Sequence, residues 1–256
     1  MIIKNQKNVI LLLLLVAFVS CTPGAKITYL QNVDSKPPEE KTLKYEPVLQ
    51  PDDLLSIIVT SQNPESAIPF NLPSVQGNYD LGKSQVGVKT YLINNDGDID
   101  FPVLGKVKLG GLIRTEANKK LEALVSEYIK NPVINLRILN FKVSVIGEVT
   151  RPGTFNIDSE RITLLEAIGK AGDLTIYGKR SDLLIIRESN GVKKYQRVDI
   201  TNADFVSSPF YYLAQNDVVV VNPNKTKINA SAVGPNTGVI LSAFSVLATI
   251  AVLIFR

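Results

Sequence analysis

From Thr237 to Phe255 the sequence reads TGVILSAFSVLATIAVLIF, nineteen residues without a formal charge. At helical rise such a run would be ~28 Å long, close to the hydrocarbon thickness of a bilayer and suited to a thin outer membrane. Pro235 and Asn236 stand before it as a helix-start signal, and Arg256 ends it. The competing reading is a buried C-terminal core helix, but a core helix usually keeps one polar face. The weakly polar residues Gly238, Ser242, Ser245 and Thr249 fall at i, i+4, i+7 and i+11, one stripe of a helix. A stripe of small, hydroxyl-bearing residues permits close helix approach in a membrane or faces a wet lumen. One helix cannot enclose a pore, so a lumen would require several copies.

The other end of the chain reads as a secretion signal over 1–20. Lys4 and Lys7 form a charged start, and Val9 to Val19 form an apolar run too short to span a bilayer as a typical helix. It stops at Phe18-Val19-Ser20-Cys21. A small residue directly before a cysteine at this place resembles the lipobox of bacterial lipoproteins. That resemblance implies cleavage before Cys21 and acylation of its thiol and new amino group. Thr22 follows instead of Asp, so the best-known inner-membrane retention signal is absent. Residues 21–44, with Pro23, Gly24, Pro37, Pro38 and the run Glu39-Glu40-Lys41, are poor in apolar residues and read as an extended tether.

Composition narrows the chemistry. The chain has 256 residues and is 45% apolar, enough for a sizeable core. It contains no His, no Trp and one Cys. The usual general base and the commonest metal ligand are therefore missing, and neither an intrachain disulfide nor a thiolate zinc cluster can form. Neither a metal site nor a cofactor is expected. The net charge of +4 is too mild to suggest nucleic acid. Catalysis by carboxylates stays open, with Asp52, Asp53 and Glu148 as candidates by residue type alone; each reads more simply as a turn or surface carboxylate.

Between the two ends the pattern is α+β. Leu54 to Val59 reads as a buried strand, and 61–89 as a long loop. Tyr91-Leu92-Ile93 and Ile99-Asp100-Phe101 flank Asn94-Asn95-Asp96-Gly97-Asp98, a hairpin signal. Asp96, Asp98 and Asp100 lack the spacing and downstream Glu of an EF-hand and are read as turn residues. A helix is expected from Thr115, stopped at Asn131-Pro132 and followed by a strand over 133–139. A second unit starts near Phe141. Its clearest element is a helix from Thr163 to Gly172, with Thr163 and Glu166 as a capping box and Gly172 at the left-handed C-cap. Strands are expected at 183–187, 195–200 and 218–221. Strand pair, helix and further strands resemble a small β-grasp domain.

The order of these motifs resembles the Wza-like polysaccharide export outer-membrane lipoproteins. Tyr45 to Val59 (YEPVLQPDDLLSIIV) resembles the family opening, with Asp52 where Gly is usual. Asp96 to Gly105 (DGDIDFPVLG), Gly110-Gly111 and the following helix resemble the middle of the export domain. Val145 to Val149 (VIGEV), Arg151-Pro152-Gly153 and Leu164 to Gly172 (LLEAIGKAG) resemble one SLBB domain, with Asp173 where a second Gly is usual. The resemblance implies an export domain over 45–140, a β-grasp-like SLBB domain over 141–223, a linker over 224–236 and a transmembrane helix over 237–255. It further implies a homo-oligomeric ring of about eight copies in the outer membrane, with periplasmic domains facing an inner-membrane co-polymerase that often carries a tyrosine autokinase. Capsular or extracellular polysaccharide would be cargo, and no chemistry would occur on it. The alternative is a periplasmic glycan-binding or scaffold lipoprotein whose C-terminal helix only anchors or dimerises.

Overall fold

Two hydrophobic cores organise the chain, one under residues 49–136 and one under 141–221. The computed structural model describes residues 27–37, 45–72, 89–189, 191–232 and 237–254. In the first unit, strand β1 (Leu54–Thr60) is followed by a short helix α1 (Pro64–Ala67), β2 (Tyr91–Leu92), β3 (Asp98–Phe101), β4 (Gly105–Lys108), helix α2 (Arg114–Ser126) and β5 (Val133–Ile138). β1 lies between β2 and β5, antiparallel to both. Leu55, Ile57 and Val59 alternate along β1 and are buried. Ala117, Leu121 and Val125 put one face of α2 into the same core. The N-terminus of α2 is held from a distance: the Glu46 carboxylate accepts the Thr115 N–H at 3.1 Å and the Thr115 hydroxyl at 2.5 Å.

The turn expected at 94–98 forms, but the hairpin does not. Gly97 N–H donates to Asn94 O, and the Asn94 side chain accepts the N–H groups of Asp96 and Asp98. The flanking strands then part. Ile93 donates its N–H to Asp53 O and accepts the Asp52 N–H just before β1, so β2 joins β1, while β3 pairs with β4. Backbone capture by β1 outcompetes the local pairing that Asp-Gly would otherwise seed. The expected loop over 61–89 contains α1, capped by Asn63; residues 73–88 lie outside the described residues.

The second unit contains β6 (Lys142–Gly147), β7 (Gly153–Asn156), β8 (Ile162–Thr163), helix α3 (Leu164–Lys170), β9 (Gly178–Ser189), β10 (Val192–Val198), β11 (Tyr212–Leu213) and β12 (Val218–Pro223). Its main sheet runs β10-β9-β12-β6-β7, with β12 parallel to β6 and the other neighbours antiparallel. A first hairpin, a helix and a last strand parallel to the first at the sheet centre is the order of a β-grasp. The capping box of α3 forms as read: Thr163 N–H donates to Glu166 at 2.7 Å, and Glu166 N–H to the Thr163 hydroxyl at 3.2 Å. Leu164, Ala167 and Ile168 bury its inner face.

The two departures from glycine both carry the conformation glycine would supply. Asp52 has φ +68° and Asp173 φ +70°, in the left-handed region. The turn geometry is retained there with an aspartate in place.

After β12 come α4 (Lys225–Ala232) and α5 (Thr237–Ile254). α5 covers most of the uncharged run, and Val239, Phe244, Val246, Leu247 and Ile250 on it are 46–68% exposed. They do not join either core, so the described part of the run is not a buried core helix. The expected membrane span is met only in part. The helix forms, but among the described residues no helix is long and apolar enough to cross a membrane. Phe255, the last residue of the expected span, lies outside them.

Candidate functional site

Both candidate membrane attachments leave from the second unit, and the structure shows why on the N-terminal side. Within the segment read as a tether, residues 27–37 are strapped to that unit. Leu30 and Gln31 donate backbone N–H groups to Ile200 O and Thr201 O, at 3.2 and 2.8 Å. Asn32 accepts the Ala203 N–H at 2.7 Å, and Lys36 pairs with Asp204. Tyr29 donates its hydroxyl to Asp173 and lies against Arg180, whose guanidinium sits 5.2 Å from the ring centroid. Burial, reinforced by Asp173, pushes the Tyr29 hydroxyl up to about 12, so it stays a donor. Arg180 is itself buried and donates to the carbonyls of Leu174, Thr175 and Gly178. Low apolar content hid this strap in the sequence, because it is held by backbone bonds, by the Asn32 and Lys36 side chains, and by Tyr29 and Leu30 against the core.

On the C-terminal side, the stripe predicted from spacing lies on α5. Gly238, Ser242, Ser245 and Thr249 are all exposed. The Ser242 hydroxyl donates to Gly238 O, Ser245 to Ser242 O at 2.8 Å, and Thr249 to Ser245 O at 2.8 Å. Each hydroxyl is therefore satisfied within its own helix, which lets this face enter an apolar medium at little cost. Cys21, the candidate lipid attachment point, lies outside the described residues.

The two units meet at a polar junction that sequence reasoning missed. Asn140 accepts the Leu54 N–H at 2.9 Å and donates to Asp52 O at 2.8 Å; Gln215 donates to Asn140 O and accepts the Lys142 N–H, both at 2.8 Å. Tyr45 stacks on Tyr212 with centroids 4.9 Å apart and donates to Leu213 O at 3.2 Å. Beside Tyr212, Arg187 forms a buried pair with Asp217, at 2.7 Å for its closest contact, and lies over Phe210.

The three carboxylates considered for catalysis are not gathered into one cleft. Asp52 is exposed on its turn, and Glu148, in the other unit, accepts the Thr175 hydroxyl at 2.9 Å. Asp53 is fully buried; one oxygen accepts the Gln50 N–H at 2.8 Å and the other has no hydrogen-bond partner. Burial raises its pKa from 3.8 to about 6. Folding therefore favours its protonated form. The stability this contributes is complete below pH 3.8 and is lost as pH rises through about 6, a decline of ~3 kcal/mol at most. In Asp53→Asn, which keeps the acceptor for Gln50, that decline should vanish. Thermal melts of both proteins across this pH interval would check it.

An open, polar depression of about 740 Å³ lies along Gln50, Asp52, Asn95, Asp96, Lys108 and Asn216, and a smaller one of about 210 Å³ lies at the junction beside Arg114, Arg137 and Phe141. Among the described residues no group of three or more His, Cys, Asp or Glu could hold a metal ion.

An α+β unit with a helix-backed antiparallel sheet, joined to a β-grasp unit, defines a two-domain α+β class. Residues 41–139 match the family of polysaccharide biosynthesis/export proteins, and residues 141–221 match the SLBB domain. Both matches support the resemblance to the Wza-like polysaccharide export family. It is similar to the EPS I polysaccharide export outer membrane protein EpsA of Ralstonia nicotianae, with 31% identity over 61% of this chain and 42% of that protein. It is also similar to the protein of the same name from Ralstonia solanacearum, with 28% identity over 72% of this chain and 51% of that one. The chain thus spans about half the length of the curated relatives it matches. These families are export proteins and are not known as enzymes.

Proposed function

We propose that the chain is a subunit of an oligomeric outer-membrane channel for extracellular or capsular polysaccharide, anchored by an acylated Cys21 and by α5. The observation that carries this reading is α5: an uncharged helix with exposed apolar side chains, attached to a chain of export-family domains. A helix of this kind left in water would expose a large apolar patch, which soluble monomers avoid. Bundled copies would bury it in lipid and against one another, with the Gly238, Ser242, Ser245 and Thr249 stripe lining the lumen or the helix contacts. The relatives' names supply the outer membrane and the polysaccharide. The channel would perform no catalysis and use no cofactor; synthesis upstream, at an inner-membrane co-polymerase, would give direction.

The strap supports an orientation. From Cys21 to Ile27 the chain can extend by at most ~21 Å. With Cys21 acylated, the SLBB unit is held close to the membrane, and it is also the unit that leads into α5. The export domain then faces away, toward the inner membrane.

Deleting residues 237–256 while keeping Cys21 should reduce surface polysaccharide to the level of a null strain and leave a folded, lipid-anchored protein. Surface polysaccharide is measured by immunoblot, and folding by protease resistance. Export that continues at the normal level would overturn the channel and favour a scaffold. A tag placed after Arg256 should label on intact cells.

A further inference from the structure

Among the described residues, the main sheet of the SLBB unit has two free edges. β10 is one; six of its seven residues are exposed, including Val192 and Tyr195 at 58% and 65%. β7 is the other, with Thr154 and Asn156 exposed. Ser189 and Val192 lie opposite each other at the closed end of the β9–β10 pair, so Lys193, Tyr195 and Arg197 take alternate positions along β10. On β7, the Ile157 N–H donates to Phe141 O, which leaves Thr154 and Asn156 facing outward.

The edges are complementary in direction and charge. Following the pairings across the sheet, β10 and β7 run in opposite directions, so β7 of a second copy would add to β10 as an antiparallel strand. The β9–β10 tip carries Lys193 and Lys194, and the chain leaving β7 carries Asp158 and Glu160. Antiparallel addition brings this basic tip to this acidic exit. Lys193 lies 3.8 Å from Glu188 in its own hairpin and Glu160 3.4 Å from Arg114, whereas Asp158 and Lys194 have no ion-pair partner among the described residues. Placing Lys193 opposite Asp158 also sets Tyr195 opposite Asn156 and Arg197 opposite Thr154. Edge lysines alone would only discourage pairing; an acidic counterpart on the opposite edge selects a partner.

We propose that copies of this chain associate head to tail through these edges, β10 of one adding to β7 of the next. The partner is a second copy, and the inference rests on the ring reading above. The contact is heterologous, so it closes into a ring when the rotation per copy divides a full turn. A seam of about four residues is small against the ~800 Å² per partner of a stable pair. Free dimers are therefore not expected; each copy is held by two seams at once.

The test uses the full-length, lipidated chain extracted in detergent, with particle mass read by native mass spectrometry. Wild type should be a ring. Lys193→Glu should shift the population toward free subunits about tenfold, and adding Asp158→Lys should restore the ring. A folding defect would not be rescued by that second change. Asn156→Cys with Tyr195→Cys should give a ladder of disulfide-linked multimers on a non-reducing gel, and neither single change should. A wild-type ring that withstands Lys193→Glu and gives no ladder overturns the seam while leaving the ring reading intact. A wild-type monomer at membrane concentration overturns both.

Discussion

Gly147→Ala should be among the most damaging single substitutions in the protein, costing ~3–5 kcal/mol or preventing the SLBB unit from folding. Gly147 ends β6 with φ +95°, and a Cβ built there would lie 2.1 Å from Val221 O and 3.0 Å from Val221 C. These are backbone atoms of β12, so no flexible side chain can move aside. The same carbonyl accepts the Glu148 N–H at 3.0 Å. Relieving the clash would pull β12 from β6 in the one parallel pairing of the sheet. Gly169→Ala is the control. That glycine lies within α3, and its added Cβ meets nothing within 4 Å, so alanine should stabilise by up to ~1 kcal/mol. Hydrogen exchange over residues 142–147 and 218–223 reads both effects; protection equal to wild type in Gly147→Ala would refute the first.

Asp217→Ala should cost ~3–5 kcal/mol, because it leaves the Arg187 guanidinium without its counter-charge in a largely buried place. Asp217 is fully buried, and the Arg187 side chain is 15% exposed. The carboxylate accepts from Arg187 through both oxygens, at 3.0 and 2.7 Å, and also takes the Ala214 N–H at 2.8 Å. Arg187 in turn donates to Tyr212 O at 2.9 Å, beside the Tyr45 stack. Loss of the pair should therefore loosen the junction between the two domains as well as the SLBB core. Replacing both partners, as Arg187→Met with Asp217→Leu, should recover most of the stability, since no buried charge is then stranded. The Ala214 N–H still loses its acceptor, so recovery is incomplete. Chemical denaturation followed by near-UV tyrosine signals would measure the cycle; a double variant as unstable as Asp217→Ala would argue against stranded charge as the cause.

Local signals were legible where they were also what the tertiary fold used. The Thr163–Glu166 capping box, the buried β1 strand and the apolar face of α2 formed as expected, because burial and local bonding favour the same conformation there. The 91–101 hairpin was misread because a strong turn does not decide which strand its arms join. Asp53 and the Arg187–Asp217 pair were invisible as buried groups, since burial of a single charge within an apolar run depends on neighbours far away in sequence. The two aspartates at left-handed positions show the reverse case. Comparison with the family pointed to the turn, and the backbone kept it without glycine.

The strap also dictates an order of events during biogenesis. Asn32 and Ala203, which it joins, are 171 positions apart. Residues 28–36 are made early, yet their seat on 200–204 is made near the end of synthesis. On the proposed acylation of Cys21, the delay would give the processing enzymes access to it before the strap closes. Its later closure onto the finished SLBB unit would mark the subunit as complete before it is carried to its membrane.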